Sequence, residues 1–220
     1  MKPVLLFILL LLVVPISAVS AFQTTIWERA ASQAGAGAWD DVKTVSFTWT
    51  HVPTARSRSY MWDVSAGEVT VKQAGKAVSI PTSGVGLDDA DEVAAHKAFI
   101  NDTYWSMFDL RAVWDTNAKK SGLGEIESPF GRLLAYRVTY PSAGGYTPGD
   151  HYVVYLGADG RPVGWAYHPG GASEAKLFTT RGRYQQAGPL NLPTLFQTPG
   201  GETTIEITNL TVTTESAADH

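Results

Sequence analysis

The chain has 220 residues, a formal net charge of −4, 44% hydrophobic residues and 17% charged ones. That balance supports a packed core and excludes wholesale disorder. No run or stripe of Lys and Arg offers a footprint for nucleic acid. The cysteine count is zero, which removes disulfide frameworks, cysteine–zinc sites and a lipid-modified N-terminal cysteine.

Lys2 is the only charge ahead of an apolar run over 4–14, which Pro15 breaks before Val19-Ser20-Ala21. This is the order of a secretory signal, and the run is shorter than the ~20 residues of a bilayer-spanning helix. Residues 1–21 are therefore expected to be a cleaved signal peptide. The mature chain would then work in the periplasm or outside the cell, not spanning the membrane. No composition break follows, so 22–214 reads as one domain and 215–220 as a loose polar tail.

An amphipathic helix is expected over 24–38, with Thr24 or Thr25 as N-cap, Glu28 in its first turn and Gly35 or Gly37 at its end. Residues 44–52 then alternate, Val45, Phe47, Trp49 and His51 against Thr44, Ser46, Thr48 and Thr50. Residues 56–64 alternate too, with Tyr60, Trp62 and Val64 on one face. Period two with β-branched and aromatic residues predicts strands. Shorter strands are expected over 68–72 and 77–80. Asp88, Asp89, Asp91 and Glu92 suit the positive end of a helix dipole. They lack the glycine and spaced glutamate of a calcium loop. That helix is expected to run to about Asn101, break near Asp102 and resume as a turn to Phe108. Ile100, Tyr104, Met107 and Phe108 form one helical stripe that needs an apolar partner.

Residues 124–127 and 133–140 read as strands, the second with Leu134, Tyr136, Val138 and Tyr140 on one face. A Pro/Gly/Ser loop over 141–149 makes a rim. A hairpin follows, 151–156 and 163–168 around Asp159-Gly160, the signature of a two-residue type I′ turn. Its register sets Tyr152, Val154 and Leu156 opposite Tyr167, Trp165 and Val163, one apolar face. A mixed strand is expected over 176–184, and a long ordered crossing rather than a linker over 188–201, which holds three prolines and apolar residues that want burial. The last strand, 203–213, flips its apolar phase near Asn209, which predicts a bulge.

No G-x-S-x-G, H-E-x-x-H or P-loop pattern is present. His151 and His168 fall opposite each other in the hairpin, where Cβ atoms come roughly 4.5–5.5 Å apart. They read either as a pair that shares a metal or as two histidines at an open hairpin end. A zinc site needs a third ligand, and nearby Asp150 points to the other face. The expectation is no metal, no cofactor and no catalytic residue. A curved sheet with an apolar inner face can instead enclose a ligand. Its lining would come from Phe47, Trp49, Tyr60, Trp62, Tyr104, Trp105, Phe108, Tyr136, Trp165 and Tyr167.

The order of signal, helix, long strands and helical insertion carries a family resemblance. So do the D-H-Y-V-V-Y-L…D-G-R-P-V-G-W hairpin and the terminal T-T-I-E-I-T-N-L-T-V strand. The chain resembles the outer-membrane lipoprotein-carrier superfamily (LolA/LolB-like). F-I-N-D-T-Y-W resembles the same stretch of its uncharacterised secreted members. The resemblance implies an α+β fold, a curved antiparallel sheet forming an unclosed half-barrel with helices over its concave face. It implies a non-enzymatic carrier of a lipid, acyl chain or other hydrophobic small molecule. Arg56 and Arg58 are then the candidates for the arginine that closes such a carrier, and the lack of cysteine sets the chain apart from the lipid-anchored receptors. The competing expectations are an interaction module for another envelope protein and a metal-dependent extracytoplasmic enzyme using His151 and His168.

Overall fold

The structure, a computed structural model, describes residues 25–215. The expected signal peptide and the tail beyond 215 lie outside the described residues. Helix α1 (Ile26–Gln33) starts at a capping box. The Thr25 hydroxyl accepts from the Glu28 N–H, and the Glu28 carboxylate accepts the Thr25 N–H at 2.7 Å. It is shorter than the sequence predicts, because Gly35 turns left-handed (φ +95) and the chain tightens into a 3₁₀ turn, Ala36–Asp41.

The strands are β1 (Val42–His51), β2 (Arg56–Asp63), β3 (Glu68–Gln73), β4 (Lys76–Pro81), β5 (Lys119–Ile126) and β6 (Leu133–Thr139). After them come β7 (His151–Leu156), β8 (Pro162–His168), β9 (Leu177–Thr180), β10 (Gly182–Ala187), β11 (Leu190–Gln197) and β12 (Thr203–Thr214). They form two antiparallel sheets, ordered β10-β11-β12-β1-β2-β3-β4 and β5-β6-β7-β8-β9. Arg181 alone separates β9 from β10, so the chain steps from the edge of one sheet to the edge of the other. The result is an α+β fold, a curved antiparallel ribbon that does not close into a barrel.

Helix α2 (Ala90–Trp114) fills the hollow side. Asp89 caps it, its carboxylate accepting from Asp91 N at 2.7 Å and Glu92 N at 3.4 Å, so the acidic cluster serves the helix start. The break expected near Asp102 does not occur; the only non-helical residue inside α2 is Met107 (φ −109, ψ 17). Asp102 and Thr103 look like loop residues but are both buried. Thr103 returns its hydroxyl to the carbonyl of Phe99 at 2.9 Å, and Asp102 meets charged partners from β2. One flank of α2, including Phe99, Met107 and Leu110, packs on Phe47, Trp49 and Tyr60 of the seven-stranded sheet. Another, through Phe108 and Ala112, joins Ala30 of α1 on Tyr136, Val138, Val154 and Trp165 of the five-stranded sheet. The outer face of the smaller sheet is covered as well, with Ala135, Val153, Tyr155 and Ala166 under Phe130 and Phe178.

Two further expectations are corrected. The stretch over 188–201 is ordered and buried as expected, but instead of crossing it runs as a strand, β11, paired with β10 and β12. Leu190, Leu192, Thr194 and Phe196 are buried at period two, and Pro193 sits in the strand with its carbonyl taken by the Ser106 hydroxyl. The β7–β8 turn is not a two-residue type I′ turn. Gly160 alone turns left-handed (φ +81), Gly157 and Arg161 pair at 2.8 Å, and Leu156 meets Pro162 across a register shift. The rest of that register is as expected, Tyr152 opposite Tyr167 and Val154 opposite Trp165. The bulge near Asn209 is present: Ser46 pairs with Thr211 and Thr48 with Thr208, and Asn209 has φ +52.

Two buried ion pairs bind α2 to the ribbon. Arg58 Nε and Nη2 donate to Asp102 at 2.7 and 2.8 Å, and the Tyr60 hydroxyl donates to the same carboxylate at 2.6 Å. Arg181 donates to Asp109 at 3.0 Å and to the carbonyl of Trp105 at 3.0 Å. Removing one partner of a buried pair strands the other charge, a cost of about 3–5 kcal/mol. Asp102→Ala is thus expected to lower the unfolding free energy by that amount, read as a lower urea midpoint with the slope unchanged, whereas Lys76→Ala, which breaks an exposed pair with Asp91, leaves the midpoint in place.

Candidate functional site

A cavity of about 470 Å³ opens between α2, the hollow face of the five-stranded sheet and the 141–147 loop. Such a volume suits a small organic ligand. From α2 come His96, Lys97, Ile100, Asn101, Tyr104 and Trp105. The sheet supplies Tyr140, at the end of β6, Tyr152, Trp165, Tyr167 and Leu177. Helical spacing puts 97, 101, 104 and 105 on one side of α2, and strand alternation puts Tyr152, Trp165 and Tyr167 on one side of the sheet.

The aromatic rings form a connected surface with Tyr152 at its centre. Its ring centroid lies 5.1 Å from Trp165, 5.2 Å from Tyr167, 5.9 Å from Tyr104 and 6.2 Å from Tyr140. Trp105 meets Trp165 edge-on at 5.3 Å. Carboxylates fix several of these rings. Asp115 accepts from Tyr104 and Tyr140, both at 2.9 Å, and Asp150 accepts from Tyr167 at 2.8 Å and from Gly170 N at 2.7 Å. Burial and the Asp150 charge push the Tyr167 hydroxyl up to about 12. Burial, with the Asp115 charge behind it, pushes Tyr104 above its ordinary value as well. These phenols stay protonated and act as donors to carboxylates.

The loop wall is held by His96. Its Nε2 lies 3.1 Å from the Thr82 carbonyl, which can only accept, so Nε2 carries the proton. Nδ1 then accepts from the Tyr146 hydroxyl at 2.7 Å. The ring lies against Gly84 so closely that a Cβ there would sit 2.5 Å from it. A second cavity, about 510 Å³, lies between α2 and the β3–β4 hairpin, lined by Val71, Val78, Ala94, Ala95, Ala98 and Arg58 among others, and has no aromatic wall.

No protein-family model matches the chain. No curated protein matches it in sequence. Among the solved structures similar to it are two of low identity. One is a DUF1329 family protein from Desulfovibrio piger, with 9% identity, 84% of this chain and 91% of that one covered, and a TM-score of 0.43. The other is described as an outer membrane lipoprotein-sorting protein domain, from Vibrio parahaemolyticus, with 10% identity, coverage of 87% and 95%, and a TM-score of 0.42. At such identities and TM-scores neither carries a family, a function or a residue role to this chain.

Of the residues expected to line a ligand site, Tyr104, Trp105, Trp165 and Tyr167 surround the cavity together. Phe108 and Tyr136 are buried in the core beneath the five-stranded sheet's inner face. Phe47, Trp49, Tyr60 and Trp62 pack with α2 over the seven-stranded sheet. Tyr140 and Tyr152 line the cavity but were not among the expected residues. Both were legible as inward positions, Tyr140 in the alternation of β6 and Tyr152 opposite Tyr167. Of the two arginines, Arg58 is buried against Asp102 while Arg56 is exposed. Ser173 and Lys176 match S-x-x-K spacing, but both are exposed in the loop before β9.

The histidine rings of 151 and 168 stack at 4.2 Å between centroids with 17° between planes. Nδ1 of His168 lies 3.1 Å from the Ala172 carbonyl. Asp150 is turned toward Tyr167 and Gly170, and no group of three His, Asp or Glu comes together among the described residues. Burial, the charge of His168 and that of Arg137 hold His151 below its ordinary value. Folding thus weakens proton binding, so the stability from this site is full above the unfolded value of about 6.5 and is lost as pH falls through it toward the folded value. The melting temperature of wild type is expected to fall between about pH 7 and 5, and His151→Gln to flatten that fall, as read by circular dichroism.

Proposed function

We propose that this protein is a non-enzymatic, extracytoplasmic binding or carrier protein for a lipid or other hydrophobic ligand, held in the cavity between α2 and the five-stranded sheet. One observation carries the reading: a cavity of about 470 Å³ walled by seven tyrosine and tryptophan side chains, Tyr104, Trp105, Tyr140, Tyr146, Tyr152, Trp165 and Tyr167. Covering that apolar wall returns roughly 25 cal/mol per Å² removed from water, set against the cost of ordering the ligand. The groups in reach favour binding over chemistry. Three of the tyrosines donate to carboxylates, and His96 has both ring nitrogens engaged. Export rests on the charge–apolar–small order of residues 1–21. No helix among the described residues is long and apolar enough to cross a membrane.

Native mass spectrometry of gently purified protein, before and after exposure to fatty-acyl probes, tests the reading. The expected outcome is a discrete hydrophobic adduct or stoichiometric uptake of one probe. Ala143→Trp, on the exposed loop wall, should reduce uptake by about tenfold while leaving the melting temperature in place. A clean ligand-free mass, with no uptake of acyl probes or of ring-bearing amphiphiles, removes the reading.

A further inference from the structure

We infer that the cavity prefers an amphiphile with a flat ring system as its apolar part and an anionic polar end, over an extended acyl chain. The inference rests on the binding reading above and narrows its ligand class.

The α2 wall is graded in polarity. Lys97 is exposed at one end and makes no ion pair with any described residue; Asn101 comes next, then Tyr104 and Trp105. Eight residues of helix span about 12 Å, so a cation stands roughly that far from the indole. A ligand satisfying both ends has its charge at Lys97 and its apolar part against Trp105 and Trp165.

The aromatic end is a set of flat faces with little freedom to reshape. Tyr104 and Tyr140 are held by Asp115, Tyr167 is held by Asp150, and Tyr152 is wedged among five rings. None of the wall residues is methionine, the side chain that adapts to irregular chains. A polymethylene chain must freeze many rotors against such a wall and gains area alone, whereas a rigid ring freezes almost none and adds ring–ring contacts. Because the Tyr104, Tyr140 and Tyr167 hydroxyls already donate to carboxylates, the ligand's interior part should be free of polar groups needing those donors.

The sign of the polar end also follows from the rings. Arg111 lies over Tyr104 at 5.1 Å and Arg181 over Trp165 at 5.3 Å, and neither lines the cavity. Two rings thus already face a guanidinium from outside the cavity, which weakens them as a cage for a cationic head. Lys97 at the rim favours an anion instead.

The test uses the full mature chain titrated with pyrenebutyrate, pyrenebutanol and dodecanoate, followed by isothermal calorimetry and by tryptophan-to-pyrene energy transfer. Pyrenebutyrate is expected to bind about tenfold more tightly than dodecanoate. Pyrenebutanol should bind about threefold more weakly than pyrenebutyrate, and Lys97→Gln, an exposed change, should erase that difference without affecting the alcohol. Trp105→Leu should weaken both pyrenes by about tenfold and dodecanoate by much less. Equal or tighter dodecanoate binding overturns the ring preference and leaves the binding reading standing. Tight pyrenebutanol binding unaffected by charge overturns the anionic end. If no probe binds to protein with a native near-ultraviolet spectrum, both readings fall.

Discussion

Two guanidinium–carboxylate contacts, Arg58 with Asp102 and Arg181 with Asp109, set where α2 lies in the hollow of the ribbon. The two acids are seven residues apart, nearly two turns, so they project from the same side of the helix. Apolar packing alone is non-directional and would tolerate a helix that slides or rotates. Directed bonds to charges with very little exposure do not tolerate it, since any displacement leaves an ion out of water without a partner. Holding one side of α2 on the larger sheet and the sheet junction leaves its other side, from Lys97 to Trp105, facing the smaller sheet. The cavity is the space that this placement leaves.

Arg181 links three features at once. Its N–H donates to the Val163 carbonyl at 2.8 Å, so its backbone still belongs to the five-stranded sheet. The next residue, Gly182, already pairs with Leu195 in the seven-stranded sheet. Its guanidinium turns inward to Asp109 and the Trp105 carbonyl and lies near the Trp165 and Phe196 rings. Burial pushes Asp109 above the usual carboxylate range, opposed by the charge of Arg181. The arginine is accordingly what makes an ionised carboxylate tenable there. The bend of the ribbon and the seating of the helix share this one side chain.

The strands with strict alternation could be read directly. Val45, Phe47 and Trp49 in β1 and Tyr152, Val154 and Trp165 in the hairpin face inward as their spacing requires. Three places resisted for physical reasons. Three prolines hide β11, yet Pro193 needs no N–H where it sits and Leu190, Leu192 and Phe196 still alternate. Asp102 and Thr103 imitate a helix break because their partners, Arg58 and the helix's own carbonyls, are invisible to a local reading. The Asp159-Gly160 pair fits two turn types, and only the conformation of Asp159 separates them. For the site, periodicity says which residues face the hollow but not which part of the hollow α2 fills. It fills the part above Phe47, Trp49, Tyr60 and Trp62 and leaves space above Tyr152, Trp165 and Tyr167.

That asymmetry has a source in side-chain size. Over the larger sheet, α2 presents Phe99, Met107 and Leu110, fully buried side chains that leave little room against Trp49 and Tyr60. Along the cavity wall it presents Lys97 and Asn101, whose polar ends favour water over a dry interior. Two polar residues on consecutive turns cannot seal against a sheet of rings, and Tyr140 and Tyr167 opposite cannot swing in to meet them while Asp115 and Asp150 hold their hydroxyls. The groove thus sets a polar helix turn against an anchored aromatic floor. The amphiphile proposed above would resolve that conflict on both sides, meeting water-facing groups with its head and the rings with its body.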